Sequence, residues 1–367
     1  MDWLSLFALS VLLAWSGGLS PAVEARCGAG GAVVFNFGDS NSDTGGLSAG
    51  LGYIFPLPHG RIFFHRSTGR LCDGRLVLDF LCENLNSSYL SPYLESLGSD
   101  FRHGANFAIS GAATLPRNQP FSLFIQVLQF FRFKSKSLEL VAQGAKNLVN
   151  EEGFKKALYV IDIGQNDLSV AFSLNASYDE AVARIPSIIS EIRNALKMLH
   201  DSGSSNFWIH NTGPLGCLPQ KLALHASDGD FDPYGCLSPL NNGSMEFNAR
   251  LNDLCNELRS EFNDSTIVYT DIYSIKYDLI TNSAKYGFES PMRVCCGHGG
   301  PPYNYDPKIT CGNPQCQVCD EKLKYISWDG VHYTEAANAL VASRILSTEY
   351  SNPKLEFDYF CSASMEH

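Results

Sequence analysis

Continuous apolar runs along the chain alternate with longer segments whose apolar positions recur every three or four residues. AVVFNF at 32–37 is the first such run and reads as a buried strand. KALYVIDIG at 156–164, NFWIHNTGPLG at 206–216 and TIVYTDIY at 266–273 repeat the pattern, and RHGANFAISGAATL at 102–115 holds a shorter extended run. Between them lie segments of helical period: 76–85, 121–143, 178–203, 244–262 and 334–350. In the fourth of these, positions 247, 251, 254, 258 and 262 fall on one side of a helix. The third is expected to kink at Pro186 and to stop near Gly203. Apolar strands alternating with amphipathic helices predict an α/β fold with one mainly parallel sheet, covered on both faces. Reactive groups in such a fold collect at the C-terminal edge of the strands. The stretch FSLFIQVLQFFRF at 121–133 is either the core face of its helix or the lining of an acyl pocket.

Charge removes one class of partner. The net charge is −11, and loss of residues 1–25 would take away Asp2 and Glu24, leaving 27 basic against 36 acidic residues, or −9. No broad basic footprint is present for nucleic acid or for an anionic membrane. The N-terminal run WLSLFALSVLLAWSGG, followed by small residues and AVEA, reads as a signal peptide over 1–25 and leaves 26–367 as a single domain. A membrane anchor or a buried helix are the alternatives, but the run is short for a span and lacks a basic stop. Twelve cysteines lie beyond that site, several in a Gly/Pro-rich loop at 291–320. An even count with a secretion signal favours disulfides, whose pairing spacing alone does not reveal. CGNPQCQVC at 311–319 raises zinc as a rival reading, without a second CxxC to complete a site. Asn86, Asn175, Asn242 and Asn263 head N-glycosylation sequons. The expected location is extracellular or cell wall, with the vacuole also open, and no stable membrane insertion.

The chemistry is written at strand ends. In VVFNFGDSNSDTGG at 33–46 an apolar strand gives way to turn formers around Ser40, which is a nucleophile or a turn and capping residue. WDGVHYTEAA at 328–337 places Asp329 and His332 three apart. His332 could take the Ser40 proton while Asp329 holds the imidazole tautomer; the plainer reading is a capped turn and a packed histidine. Gly111 can present an unobstructed N–H, and Asn166 in IDIGQND a side-chain amide. With the Ser40 N–H these make three donors for one oxyanion. Taken singly, Gly111 is a turn glycine and Asn166 a loop cap; the convergence of all four segments on strand ends favours a site. Asp39 is expected to organise the turn rather than to replace Asp329. His59, His65 and Arg66 lie in a loop read as hydrated with aromatic anchors, the alternative being substrate contact.

Taken together, FNFGDSNSDTGG, GANFAISGA, IGQND and WDGVH resemble the sequence blocks of the plant GDSL esterase/lipase family, within the SGNH hydrolases. FFHRSTGRLCDGRLVLDF and NTGPLGCLP are similar to the same plant branch, so the likeness spans roughly residues 32–350. The resemblance implies a flavodoxin-like three-layer α/β/α sandwich without a cofactor. It implies Ser40 as nucleophile, His332 as base, Asp329 as its orienting acid, and Ser40, Gly111 and Asn166 as the oxyanion hole. The second block departs from the common pattern in placing Ser110 where a second glycine is frequent. Similarity to a subset containing acetylesterases, nodulins and fucosidases implies a short acyl group on a glycoside or cell-wall carbohydrate. A lipase, an acyltransferase using the same serine, and an inactive carbohydrate-binding protein are the rivals. Glycosidase chemistry finds no distinct carboxylate pair among the many isolated acids.

Overall fold

The computed structural model describes residues 27–362 except 29, 117–119, 173–175 and 226–228. The segment read as a signal peptide and the sequon at Asn175 lie outside the described residues. Six strands form the main sheet: β1 (Val34–Gly38), β2 (Gly104–Asn106), β3 (Leu158–Asp162), β4 (Asn206–His210), β5 (Thr266–Thr270) and β8 (Ser351–Asn352), in the order β2-β1-β3-β4-β5-β8. All neighbours are parallel except β8, a two-residue antiparallel edge. A separate small ribbon pairs β6 (Cys296–Gly297) with β7 (Gln317–Val318).

Register makes the sheet edge level. Gly38, Asp162, His210 and Thr270 stand side by side, so the loops that follow them leave from one line. Period-two alternation sorts the strands' side chains onto two cores. Phe35, Phe37, Tyr159, Ile161, Phe207 and Ile209 pack in one, with helices α3 (Leu123–Ala142), α7 (Ile185–Asp201) and α9 (Ser238–Glu261). Val34, Leu158, Val160, Trp208 and Val268 pack in the other, with α2 (Val77–Asn84), α10 (Ile272–Thr281) and α11 (Glu335–Leu346). The result is a three-layer α/β/α sandwich. The shorter helices among the described residues are α1 (Gly46–Leu51), α4 (Glu151–Lys156), α5 (Gln165–Ala171), α6 (Tyr178–Val182) and α8 (Pro219–Leu224), with α12 (Asp358–Ser362) at the end.

The aromatic stretch at 121–133 belongs to the core. Leu123, Val127, Phe130 and Phe133 are buried, and the Phe130 ring meets Phe35 edge-on at 5.1 Å. Positions 247, 251, 254, 258 and 262 are buried together, as their spacing predicts. The kinked helix expected over 178–203 is two helices. Tyr178–Val182 ends before Arg184, and Pro186 sits in the first turn of the next, where its missing N–H costs no helical bond. The strand expected over 266–273 stops at Thr270, because Asp271 accepts from Ser274 N and starts α10.

Four disulfides form: Cys27–Cys361, Cys217–Cys236, Cys295–Cys319 and Cys296–Cys311. Cys72, Cys82, Cys255 and Cys316 stay reduced. Cys311 and Cys319 are thereby oxidised, which takes from CGNPQCQVC the thiolates a zinc site would need. Among the described residues no helix is long and apolar enough to cross a membrane. The sequon residues Asn86, Asn242 and Asn263 are all exposed.

One contact ties a helix to the strand that carries the nucleophile segment. The buried Gln126 amide of α3 donates to Gly38 O at 2.8 Å, and its Oε1 accepts Gly38 N–H at 2.9 Å. Gln126→Leu keeps the volume but strands the Gly38 N–H, while Gly38 O keeps the Ile109 N–H at 3.2 Å. It is expected to cost about 1–3 kcal/mol in urea unfolding; a loss below about 0.5 kcal/mol would show that the Gly38 N–H finds another acceptor.

Candidate active site

Three loops leave the level edge of the sheet, and buried polar side chains knit them together. After β1, Asp39 Oδ1 accepts the Asn41 N–H at 2.9 Å and its side-chain amide at 3.0 Å, which closes the turn around Ser40. Asp43 then accepts Gly45, Gly46 and Leu47 N–H groups at the start of α1. The same carboxylate takes Ser110 N–H at 2.7 Å and Ser110 Oγ at 2.8 Å, so it holds the loop after β2 as well. This accounts for Ser110 in the departing second block: its hydroxyl is a ligand of Asp43. Behind the turn, Asn36 Nδ2 donates to Ser42 Oγ at 3.0 Å and to Asn106 Oδ1 at 2.8 Å. Asn106 Nδ2 in turn donates to Ser42 O and Thr44 Oγ1. The third loop is tied in by Asp167, which accepts Thr114 Oγ1 at 2.7 Å and the Thr114 N–H.

The turn before α11 is built on the same principle. Asp329 Oδ1 accepts the N–H groups of Val331 at 3.0 Å and His332 at 2.9 Å, and Asp329 Oδ2 lies 2.6 Å from His332 Nδ1. Asp329 therefore does both things the sequence allowed: it caps the turn with one oxygen and orients the imidazole with the other. Burial disfavours both charges, yet each partner outweighs it. Asp329 is held below the usual carboxylate range by His332 and the two N–H groups. His332 is held above the ordinary histidine value, chiefly by Asp329 and then Asp39, with Lys276 pulling the other way. His332 Nε2 is buried without a hydrogen-bond partner.

Ser40, Ser110, Gly111, Asn166 and His332 line one cleft of about 260 Å³. Asp329 stands behind His332, so every residue expected at the site is brought to it. The Ser40–His332 hydrogen bond is not closed in this arrangement, and Ser40 is only 5% exposed. Gly111 has φ +82°, a left-handed conformation that glycine adopts without strain, on the exposed rim of the loop. Asn166 Nδ2 donates to Ala112 O at 2.8 Å and lies 3.4 Å from Asp39 Oδ2. Its first N–H is thus fixed by a carbonyl, and only the second, weakly held one is free to turn to a ligand.

His59 departs from the hydrated-loop expectation. It is 2% exposed, shares a hydrogen bond between Nδ1 and Pro56 O, and sits 5.9 Å from the Trp328 ring; burial lowers its pKa. The residue before the Asp329–His332 turn is therefore packed on it. His65 and Arg66 are exposed as expected. Sequence reasoning missed Leu71, Gln165, Ser169, Leu215, Leu218, Gln220 and Val331, which complete the cleft. Gln165 stood next to Asn166 in IGQND, and NTGPLGCLPQ carried three of the others without showing which would face the site.

The fold and the four blocks at its strand edge are those of the SGNH hydrolase superfamily. The chain belongs to the GDSL-like Lipase/Acylhydrolase family, whose model matches residues 34–345. It is 58% identical over 333 residues to a GDSL esterase/lipase of Arabidopsis thaliana, covering 90% of each chain. GDSL esterase/lipase LIP-4 of the same plant is 58% identical over 334 residues, covering 90% of this chain and 89% of its own. Alpha-L-fucosidase 3, again from Arabidopsis thaliana, is 43% identical over 363 residues, covering 93% and 95%. This chain is accordingly a GDSL-type serine hydrolase acting on esters.

The coupling of His332 to Asp329 is open to direct measurement. By NMR, His332 is expected to titrate above the ordinary histidine value of about 6.5. In Asp329→Asn the midpoint should fall, since the remaining burial favours the neutral ring. An unchanged midpoint would place the cause elsewhere.

Proposed function

We propose that the cleft hydrolyses short-chain esters, chiefly acetyl, of a polyhydroxylated alcohol such as a glycoside or cell-wall carbohydrate. The observation that carries this reading is the size and lining of the cleft. About 260 Å³ falls just below the roughly 300–1,000 Å³ usual for drug-sized ligands. That size suits a short acyl group beside an alcohol. Leu71, Leu215, Leu218 and Val331 supply a small apolar part, while Gln165, Ser169 and Gln220 supply uncharged groups that pair with hydroxyls. No carboxylate lines the cleft among the described residues, so the glycosidic chemistry named in one relative has no acid–base pair here.

In this reading Ser40 attacks the ester carbonyl as His332 Nε2 takes its proton, and Asp329 stabilises the imidazolium. The oxyanion is met by the N–H groups of Ser40 and Gly111 and by the second Asn166 N–H, released from Asp39. His332 then protonates the leaving alcohol, and water repeats the sequence on the acyl-enzyme. Asn166 enters the reaction already anchored through Ala112, which limits the reorganisation needed as charge develops. Secretion is part of the proposal: four disulfides suit an oxidising compartment, the N-terminal run suits export, and three exposed sequons suit glycosylation.

The test is kcat/KM of the disulfide-intact protein on p-nitrophenyl esters from acetate to palmitate. It should peak at acetate and fall by roughly 10⁴-fold or more in Ser40→Ala. Asn166→Ala is expected to lose about 10²–10³-fold in kcat. A maximum at long chains would replace this reading by a lipase. Absence of serine-dependent turnover in a folded protein would sink it.

A further inference from the structure

Among the described residues, Gln220 is the one cleft-lining side chain hydrogen-bonded to a side chain of the disulfide-rich loop. It sits in the first turn of α8, and its Nε2 donates to Tyr305 Oη at 3.1 Å. Its backbone N–H donates to Gly330 O at 3.0 Å, which fixes it to the turn between Asp329 and His332. Tyr305 comes from residues 291–320 and packs against that same turn. A Cβ on Gly330 would come within 2.5 Å of Tyr305 Cδ2, and Gly330 has φ +102°, so only glycine lets the ring approach.

The loop that delivers Tyr305 is itself locked in place. Cys295–Cys319 and Cys296–Cys311 close it. Cys295 N–H donates to Ser327 O at 3.0 Å and Cys296 N–H to Trp328 O at 2.7 Å, while Arg61 Nη1 reaches Cys319 O at 2.9 Å. Tyr305 is thus carried by a loop tied by two disulfides and by backbone hydrogen bonds. Its bond to Gln220 uses one amide hydrogen, which leaves the second hydrogen and the carbonyl of this cleft-lining residue as a donor and an acceptor for a ligand.

We infer that Gln220, oriented by Tyr305, recognises a hydroxyl group on the alcohol portion of the ester, and that the disulfide-locked loop thereby sets substrate selectivity. An uncharged group that both donates and accepts matches a hydroxyl, which does the same. An alcohol without hydroxyls would leave the amide unpaired in a partly dried cleft, and sites built this way discriminate against analogues lacking the group. The inference deepens the proposed reading and rests on it for the acyl chemistry, but not for the alcohol being a sugar.

The experiment compares glycerol monoacetate, which keeps free hydroxyls, with p-nitrophenyl acetate, which has none, in wild type, Gln220→Met and Tyr305→Phe. The readout is the ratio of kcat/KM for the two esters. Gln220→Met should lower that ratio about five- to tenfold, mainly through KM of glycerol monoacetate. Tyr305→Phe, which keeps the ring on Gly330 and removes only the hydroxyl, should lower it in the same direction by about threefold. A ratio unmoved in both variants overturns the inference, as does an equal fall on both esters, which would mark a structural effect on the His332 turn. Acetylated xylose, measured alongside, separates the two claims. Wild type inactive on it, with the Gln220-dependent ratio intact on glycerol monoacetate, removes the sugar reading and leaves Gln220 its role. Wild type preferring it, with the ratio unmoved in Gln220→Met, does the reverse.

Discussion

Parallel strands that end together send their loops away with backbone N–H groups that are buried and must find acceptors. Asp43 meets that constraint for two loops at once: three N–H groups of the nucleophile segment and two donors of Ser110 converge on one carboxylate. Burial raises its pKa and those hydrogen bonds work against the rise. Carboxylate and loops are mutually dependent, because either one alone would be left buried and unpaired. Asp167 repeats the arrangement between Thr114 and α5. The positions of Ser40, Gly111 and Asn166 relative to one another therefore rest on two buried carboxylates that touch none of the reacting atoms. Charge-stabilising donors need such rigidity, since their value lies in already pointing where the charge will form.

A second group of charges stands behind His332. Asp39 is pushed up to about 7 by burial and by Asp162, with Asn41 and His332 opposing. Asp162 is pushed up to about 6 by burial, against the pull of Lys276. His210, on the same sheet edge, is driven down to about 3 by burial and Lys276 and is a neutral ring. Asp39 connects this group to the cleft, because its Oδ2 lies within reach of the Asn166 amide that an oxyanion would claim. Turn organisation and oxyanion donation are thus not independent, even though Asp39 holds no position in the Asp329–His332 pair.

How much of this the sequence disclosed follows the range of each interaction. Strand ends, the Asp329–His332 spacing and the glycine at 111 are local signals, and each is where the chain's pattern places it. The helical face at 247–262 is also local, and its five apolar positions are buried together. The sequence around Pro186 predicts a kink rather than a break, because a proline in a first turn and one in mid-helix differ only in what precedes them. For His59 the sequence predicts a hydrated loop, because nothing near it announces Trp328, almost 270 positions away, as its neighbour. Gln220 was invisible for the same reason: its partners, Tyr305 and Gly330, come from segments that only the folded chain brings together. The disulfide pairing belongs to this class, since twelve cysteines at irregular spacing fix no connectivity.

The division of labour between edge and loop then has a physical basis. Reacting groups sit on short segments anchored to strand ends, where the sheet's register leaves little freedom. The 291–320 loop has no such anchor and substitutes covalent closure, two disulfides around a small core of Cys295, Cys296 and Trp328. Its contacts with Ser327 and Trp328 place it directly before Asp329, so its order is transmitted to the histidine turn and, through Tyr305, to the cleft wall. A loop held only by weak surface contacts could vary without consequence for the site; one bonded to the residues that precede the acid cannot. Because Gly330 has no Cβ and a left-handed φ, the Tyr305 ring packs where a side chain would stand, so the turn and the loop share one steric constraint.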